Sequence, residues 1–216
     1  GFKLVQALNQ IRGRSFDEIY SLLDLVMVSI GADIVSMNGE NRILAYHGLE
    51  VLNKKPRLGF SKLLQLANKT GVLNITDVVF ILAPRINAAG RIASGNKAVE
   101  LLLAKTFDEV DQISIDINAH NETRKGLDKE ITAEALEIIA ADAWMKNAKS
   151  TLVFNSNWHK GVVGIVASRL TENYYRPTIV LTESNGLAVG SARSVQGFNI
   201  YDAIDQCSDL LVQFGG

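Results

Sequence analysis

The sequence predicts an α/β protein: a helix-rich N-terminal part, joined by a long helix to a domain in which helices flank a mixed β-sheet. Three observations carry this prediction. Apolar residues recur at helical spacing through the first half of the chain, a charged tract from Phe107 to Asn147 keeps that period, and after Thr151 the period changes to two. Strand-like segments at Thr151 to Phe154 and Thr178 to Leu181 are separated by a helical stretch, the spacing of a βαβ crossover with parallel pairing.

Phe2, Val5, Leu8 and Ile11 begin the chain as an amphipathic stripe with no start signal ahead of them, and the chain closes on LLVQFGG without a polar tail. Both ends read as cut from a longer protein. Residues 16 to 31 read as a helix that turns apolar on all sides, a buried element that delivers Asp33 at its far end. Glu40 to Asn53 is a further helix with Ile43, His47 and Val51 spaced by fours, and Lys54, Lys55 and Pro56 end it as a domain boundary. Helices are expected at 60 to 70, 76 to 82 and 95 to 104, the last two flanking a turn, PRINAAGRIASG. The charged tract from Phe107 to Asn147 is a helix broken near Gly126. Beyond it come a helix at Val162 to Asn173, a Ser184-Asn185-Gly186 hairpin turn and a strand at Leu187 to Ser194.

Of 216 residues, 47% are hydrophobic and 21% charged, which excludes disorder as a description of the whole. The 22 Lys and Arg against 23 Asp and Glu give a net charge of −1, so no global positive field advertises nucleic acid or membrane and any anion site must be local. The single cysteine, Cys207, excludes an intramolecular disulfide framework and a cysteine zinc cluster, favours a reducing, cytoplasmic setting, and reads as a small core residue. Apolar runs fall well short of the roughly 20 residues that span a bilayer.

Three segments could carry chemistry. WHKGVVGIVASRL sets His159, Lys160 and Gly161 between a strand and a helix, where free N–H groups and the positive dipole end favour an anion, with Arg169 two turns along beside Val162 and Ile165. A plain strand-to-helix turn with a surface arginine fits the same pattern. In GLAVGSARS, alternation puts Ser191 and Arg193 on one strand face and Gly190, Ala192 and Ser194 on the other, small residues that let a phosphate approach the backbone or let the strand pack under a helix. PRINAAGR presents Arg85 and Arg91, whose guanidinium forks match phosphate oxygens; an ion pair with an acidic helix or a helix cap would use them equally. Asn121 and Arg124 read as a solvated helix face. Asp24 and Asp33 lie in or beside an apolar helix, where each needs a partner such as a metal or a buried arginine. His47, His120 and His159 are scattered, and no complete metal centre is visible.

Taken in order, LLDLVMVSIGADIVSMNGENRIL, PRINAAGR, WHKGVVGIVASRLTENYYRPTIVL, GSARS and the final FGG resemble the RecJ-type single-stranded-DNA-specific exonucleases of the DHH phosphoesterase superfamily, over essentially the whole chain. The resemblance implies three parts: residues 1–37 as the end of the DHH catalytic domain, 38–57 as a connecting helix, and 58–216 as the DHH-associated substrate-binding domain. It implies a parent that hydrolyses single-stranded DNA from 5′ to 3′ in repair and recombination with a divalent ion, Mn2+ or Mg2+, of whose ligands Asp33 can be carried over, with Asp24 the second candidate. Arg91, Arg169 and Arg193 with Ser194 map onto the substrate-contacting motifs; Ser191, Arg85, His159 and Gly161 stand beside them. The family's Asp-x-Asp and Asp-His-His motifs are absent, so this segment is expected to bind a phosphate chain without cleaving it. A small-substrate phosphoesterase parent, acting on oligoribonucleotides or nucleotides, and a non-catalytic nucleic-acid-binding module are the alternatives. The parent is expected to be a monomer without membrane contact, and the segment to self-associate through exposed apolar surface.

Overall fold

The computed structural model describes residues 1–215. Its contacts divide into two compact units, Gly1–Glu122 and Thr123–Gly216, a division that falls inside the long helix.

The first unit is built from helices. After α1 (Phe2–Ile11) come α2 (Asp17–Tyr20), α3 (Leu23–Ala32), α4 (Gly39–Lys54) and α5 (Leu58–Leu66). The apolar run expected as one helix from 16 to 31 is thus two, α2 and α3, and α3 is buried on most of its surface through Leu23, Met27, Val28, Ile30 and Gly31. Its closest neighbour is α4, and Gly48 makes that approach possible. A Cβ there would fall on the Leu23 carbonyl oxygen and lie 2.6 Å from Met27 Cβ. Because a carbonyl oxygen cannot swing aside, Gly48→Ala is expected to destabilise this unit by about 1–3 kcal/mol, read as a lower melting temperature.

Next, Asn74 and Asp77 cap each other at the start of α6 (Ile75–Asp77), which runs into a π-helical turn over Val78–Leu82 and then α7 (Ala83–Ile92). The PRINAAGR segment is therefore helix, not the turn expected. Pro84 lacks an N–H, and its ring crowds the carbonyl four residues back. One wider turn accommodates it, closed by the Ala83 N–H donating to the Val78 carbonyl. The small residues have a packing role, since Ala88 and Ala89 are fully buried. Ser94 caps α8 (Gly95–Leu103), and the unit's core gathers Met27, Leu52, Phe60, Leu63, Val78, Leu82, Leu101, Val110 and Ile117.

Helix α9 (Phe107–Ala141) begins in a reciprocal cap: Thr106 Oγ1 accepts from the Glu109 N–H, and the Glu109 carboxylate accepts from the N–H groups of Lys105 and Thr106. It runs unbroken through Gly126, correcting the expected break. A solvent-facing glycine costs only about 1 kcal/mol, which the surrounding good helix formers outweigh.

In the second unit, Asp142 caps the short α10 (Ala143–Asn147). Buried Arg176 then donates to the carbonyls of Met145, Lys146 and Ala148 and to Thr151 Oγ1, closing the C-terminal end of that helix. β1 (Thr151–Phe154) leads through a loop to α11 (Val163–Tyr174) and back to β2 (Thr178–Ser184), which pairs parallel to β1 with Thr151 opposite Thr178. Asn185 and Gly186, at φ 54° and 76°, make the expected tight turn into β3 (Leu187–Arg193), antiparallel to β2. The mixed sheet has the order β1-β2-β3, with Val153, Val180, Val163, Val166, Ala167 and Leu170 buried together. Asn199 caps a last helix, α12 (Ile200–Asp205), and Cys207 beyond it is exposed, not in the core as expected. Among the described residues no helix is long and apolar enough to cross a membrane.

Candidate phosphate-binding site

In β3 the pleat sends Ser191 and Arg193 to the same face, toward α11, where Gly164 leaves room for them. A Cβ on Gly164 would sit 3.1 Å from Ser191 Oγ and 3.3 Å from Arg193 Nη2. Arg193 Nε donates to Ser168 Oγ at 3.0 Å, and Nη1 donates to Ser191 Oγ at 3.0 Å and to the Ala192 carbonyl at 2.8 Å. Ser168 in turn donates to the Gly164 carbonyl at 3.1 Å. Neutral oxygens thus hold the guanidinium at Nε and at Nη1, while Nη2 lies beside the first turn of α11 on a side chain that is exposed. The two Nη2 hydrogens remain for a contact with a phosphate oxygen. Ser191 is the serine that holds Arg193. Ser194 instead donates to the Phe198 carbonyl at 2.5 Å and shapes the turn after β3.

One residue along α11 from Ser168, Arg169 presents its Nε and Nη2 to Asp128 Oδ1 and Oδ2 on α9, each at 2.7 Å. Asp128 is 3% exposed, whereas the Arg169 side chain is 55% exposed. The hydrogen bonds to Asp128 hold the Arg169 guanidinium charged even more firmly than usual. Val162 is buried beneath the helix, so Arg169 flanks the apolar stripe and does not share it.

The loop between β1 and α11 is pinned from several sides. Trp158 is buried and donates from Nε1 to Glu134 Oε2 on α9 at 2.8 Å, and the Thr182 hydroxyl donates to the Trp158 carbonyl at 2.6 Å. Gly161 N–H donates to His159 Nδ1 at 3.1 Å, so a neutral His159 carries its proton on Nε2 and can donate with that nitrogen. The N–H of Gly161 is therefore engaged by the histidine, and His159 Nε2 is the donor the pair can offer.

The remaining candidates lie in the first unit. Arg85 is interior, 9% exposed, donating from Nε to Asn118 Oδ1 and from Nη1 to the Ile81 carbonyl, both at 3.0 Å. Burial lowers its pKa, with Glu122 opposing the shift, and its position makes it a strut between α7 and α9 in place of the surface anion contact expected. Arg91 stands exposed in the last turn of α7. Asn121, expected on a solvated face, is fully buried, and Arg124 is half-buried. Asp24, 1% exposed, lies 2.8 Å from Arg57 Nε, so the partner it needs is an arginine and it does not fit a metal-ligand role. Asp33 is exposed at the end of α3. Among the described residues no three His, Cys, Asp or Glu side chains are grouped to hold a metal ion.

Two residues that hold the arginines, Asp128 and Ser168, escaped the sequence reading. The signal for Asp128 was its place on the same α9 stripe as buried Ile131 and Ala135, where an acid needs a cation. Ser168 looked like an ordinary helix serine, and nothing local marks it.

Residues 146–216 match the DHHA1 domain. Over its whole length the chain is 40% identical to the single-stranded-DNA-specific exonuclease RecJ of Bacillus subtilis, covering 27% of that protein. It is 34% identical to the Escherichia coli RecJ over 95% of this chain and 37% of that one. The crystal structure of RecJ from Thermus thermophilus with Mg2+ superposes with a TM-score of 0.85 at 30% identity, covering 97% of this chain and 32% of that one. A structure of exonuclease RecJ bound to manganese gives 0.79, covering 97% and 51%. The match to the DHHA1 domain therefore falls within the second unit. The chain is thus similar to RecJ along its length and spans about a quarter to two-fifths of the curated relatives it matches.

Proposed function

We propose that this chain is the substrate-gripping part of a single-strand-specific exonuclease of DNA repair and recombination, working in the cytoplasm and without membrane contact. One observation carries the proposal: Arg193 is fixed by Ser168, Ser191 and the Ala192 carbonyl so that Nη2, beside the start of α11, is the nitrogen left for an anion. Neutral partners hold the guanidinium while its charge is left for an anion, and a phosphate of the nucleic-acid backbone fits that chemistry. Arg169 and the Nε2–H of His159 would add contacts in the second unit, and Arg91 is a separate candidate contact in the first. Residues 1–37 would close the catalytic domain of the parent, 38–57 would connect, and 58–216 would bind substrate.

In the parent, the divalent ion would activate water and stabilise charge on the scissile phosphate, with manganese and magnesium the candidates. The described residues do not assemble its centre, so no hydrolytic step is assigned to them, and this chain by itself is expected to bind without cleaving. Binding of a 5′-phosphorylated single strand and of its duplex, with a manganese-dependent nuclease assay alongside, tests the reading. Salt-sensitive preference for the single strand without cleavage is expected. Equal, weak binding of both forms overturns the substrate assignment, and robust cleavage overturns the division of labour.

A further inference from the structure

Both arginines of the second unit's candidate site meet α11, yet they are held by opposite kinds of partner. Arg193 rests on two hydroxyls and a carbonyl and has no ion-pair partner among the described residues, so its positive charge stands uncompensated. Arg169 is bound along one edge by both oxygens of a buried carboxylate, and Glu172, three residues along the same helix, adds negative potential to it. We infer that Asp128 makes Arg169 a neutral, direction-giving phosphate contact, leaving Arg193 as the arginine that supplies net charge to a bound single strand. The inference rests on the phosphate-gripping reading above.

The two arginines differ in what each does to the ions around a nucleic acid. A single strand releases condensed counterions in proportion to the phosphates that are neutralised, and the logarithm of affinity falls with the logarithm of salt by about 0.7 per phosphate. Arg193 neutralises one. The Arg169–Asp128 pair sums to zero charge and neutralises none, although Nη1 and the second Nη2 hydrogen, on a side chain 55% exposed, still point donors at an oxygen. Asp128 cannot readily surrender its arginine when the strand arrives, because an unpaired carboxylate buried to 3% exposure is costly. The pair therefore acts as a unit, Asp128 setting the plane of the guanidinium and cancelling its charge. Asp128 is a positioning residue that also sets how the interface responds to ionic strength.

The test is the salt dependence of binding of a 5′-phosphorylated oligothymidine, by fluorescence anisotropy between about 50 and 200 mM salt, for this chain and its variants. Arg193→Ala is expected to flatten the slope by about 0.7, and Arg169→Ala combined with Asp128→Ala, which removes a pair of zero net charge, to weaken binding by about tenfold with the slope unchanged. Asp128→Asn, which unmasks the arginine, is expected to steepen the slope by about 0.7. Should that variant fail to fold, the Asp128→Ala, Arg169→Ala double variant carries the test alone. A slope flattened by the Asp128→Ala, Arg169→Ala double variant as much as by Arg193→Ala overturns the inference. So does an Asp128→Asn variant that melts earlier but keeps the unsubstituted chain's slope, which would make the pair a structural strap. Unchanged binding by Arg193→Ala overturns the phosphate-gripping reading, and the inference with it.

Discussion

Arg193→Ala is expected to lower the affinity for a 5′-phosphorylated single strand by about 10- to 100-fold at low salt, the worth of losing charge-assisted hydrogen bonds to one phosphate. Stability should barely move. The side chain is exposed, and Ser168 keeps its bond to the Gly164 carbonyl when the arginine is gone. Fluorescence anisotropy against thermal unfolding separates the two effects. Arg193→Lys sharpens the reading: it restores the charge, and with it the salt dependence, but an ammonium cannot be held by Ser168 and Ser191 while facing outward, so most of the affinity stays lost. Affinity fully restored by lysine would mean that charge alone matters and that the geometry of the fork is incidental.

The largest effect on stability is expected from Arg57→Ala. Asp24 is buried near the start of α3, accepting the Leu25 N–H at 2.7 Å and facing Arg57 Nε at 2.8 Å. Arg57 stands immediately before α5, so the pair ties the start of one helix to the start of another. Removing the cation leaves a buried carboxylate uncompensated, at a cost of about 3–5 kcal/mol, seen as an earlier thermal transition of the first unit. The sign of the pH dependence follows from Asp24. Burial pushes its carboxyl above the ordinary aspartate value, with Arg57 and the Leu25 N–H opposing. A raised native pKa means that the folded state takes up a proton more readily than the unfolded one. The group's contribution is complete below the unfolded value of about 4 and is lost as pH rises through the raised native value. The gap in melting temperature between Arg57→Ala and the unsubstituted chain should therefore narrow as pH is lowered from 7 toward 5. A gap that widens in acid would mean that Asp24 is not the group destabilised.

What was legible in the sequence was whatever is local. The Asn185-Gly186 turn, the βαβ spacing and the face shared by Ser191 and Arg193 follow from backbone preferences and strand period, which no distant residue has to ratify. The errors arose where a tertiary contact decided. PRINAAGR looked like a loop because proline and glycine punctuate loops, yet burial of Ala88 and Ala89 and a widened turn ahead of Pro84 make it helix. Arg85 looked available to a ligand, and only the fold brings Asn118 to it. Asp128 and Arg169 stand 41 residues apart, and no pattern in a single sequence joins them. The likeness to RecJ, by contrast, was legible from the order of its motifs along the chain.

The widened turn over Val78–Leu82 also sets a counting rule for this part of the chain. A π-helical turn holds one residue more than the α-helical turn it replaces, and each residue advances a helix by about 100°. The segment between the cap at Asp77 and Arg85 is consequently tuned in phase as well as in length. A variant with one residue fewer there could keep every hydrogen bond of an ordinary helix and still aim Arg85 away from Asn118 and the Ile81 carbonyl, with Arg91 carried round by the same angle. Changes of length in this stretch would be felt as rotation, with no loop in which to absorb them.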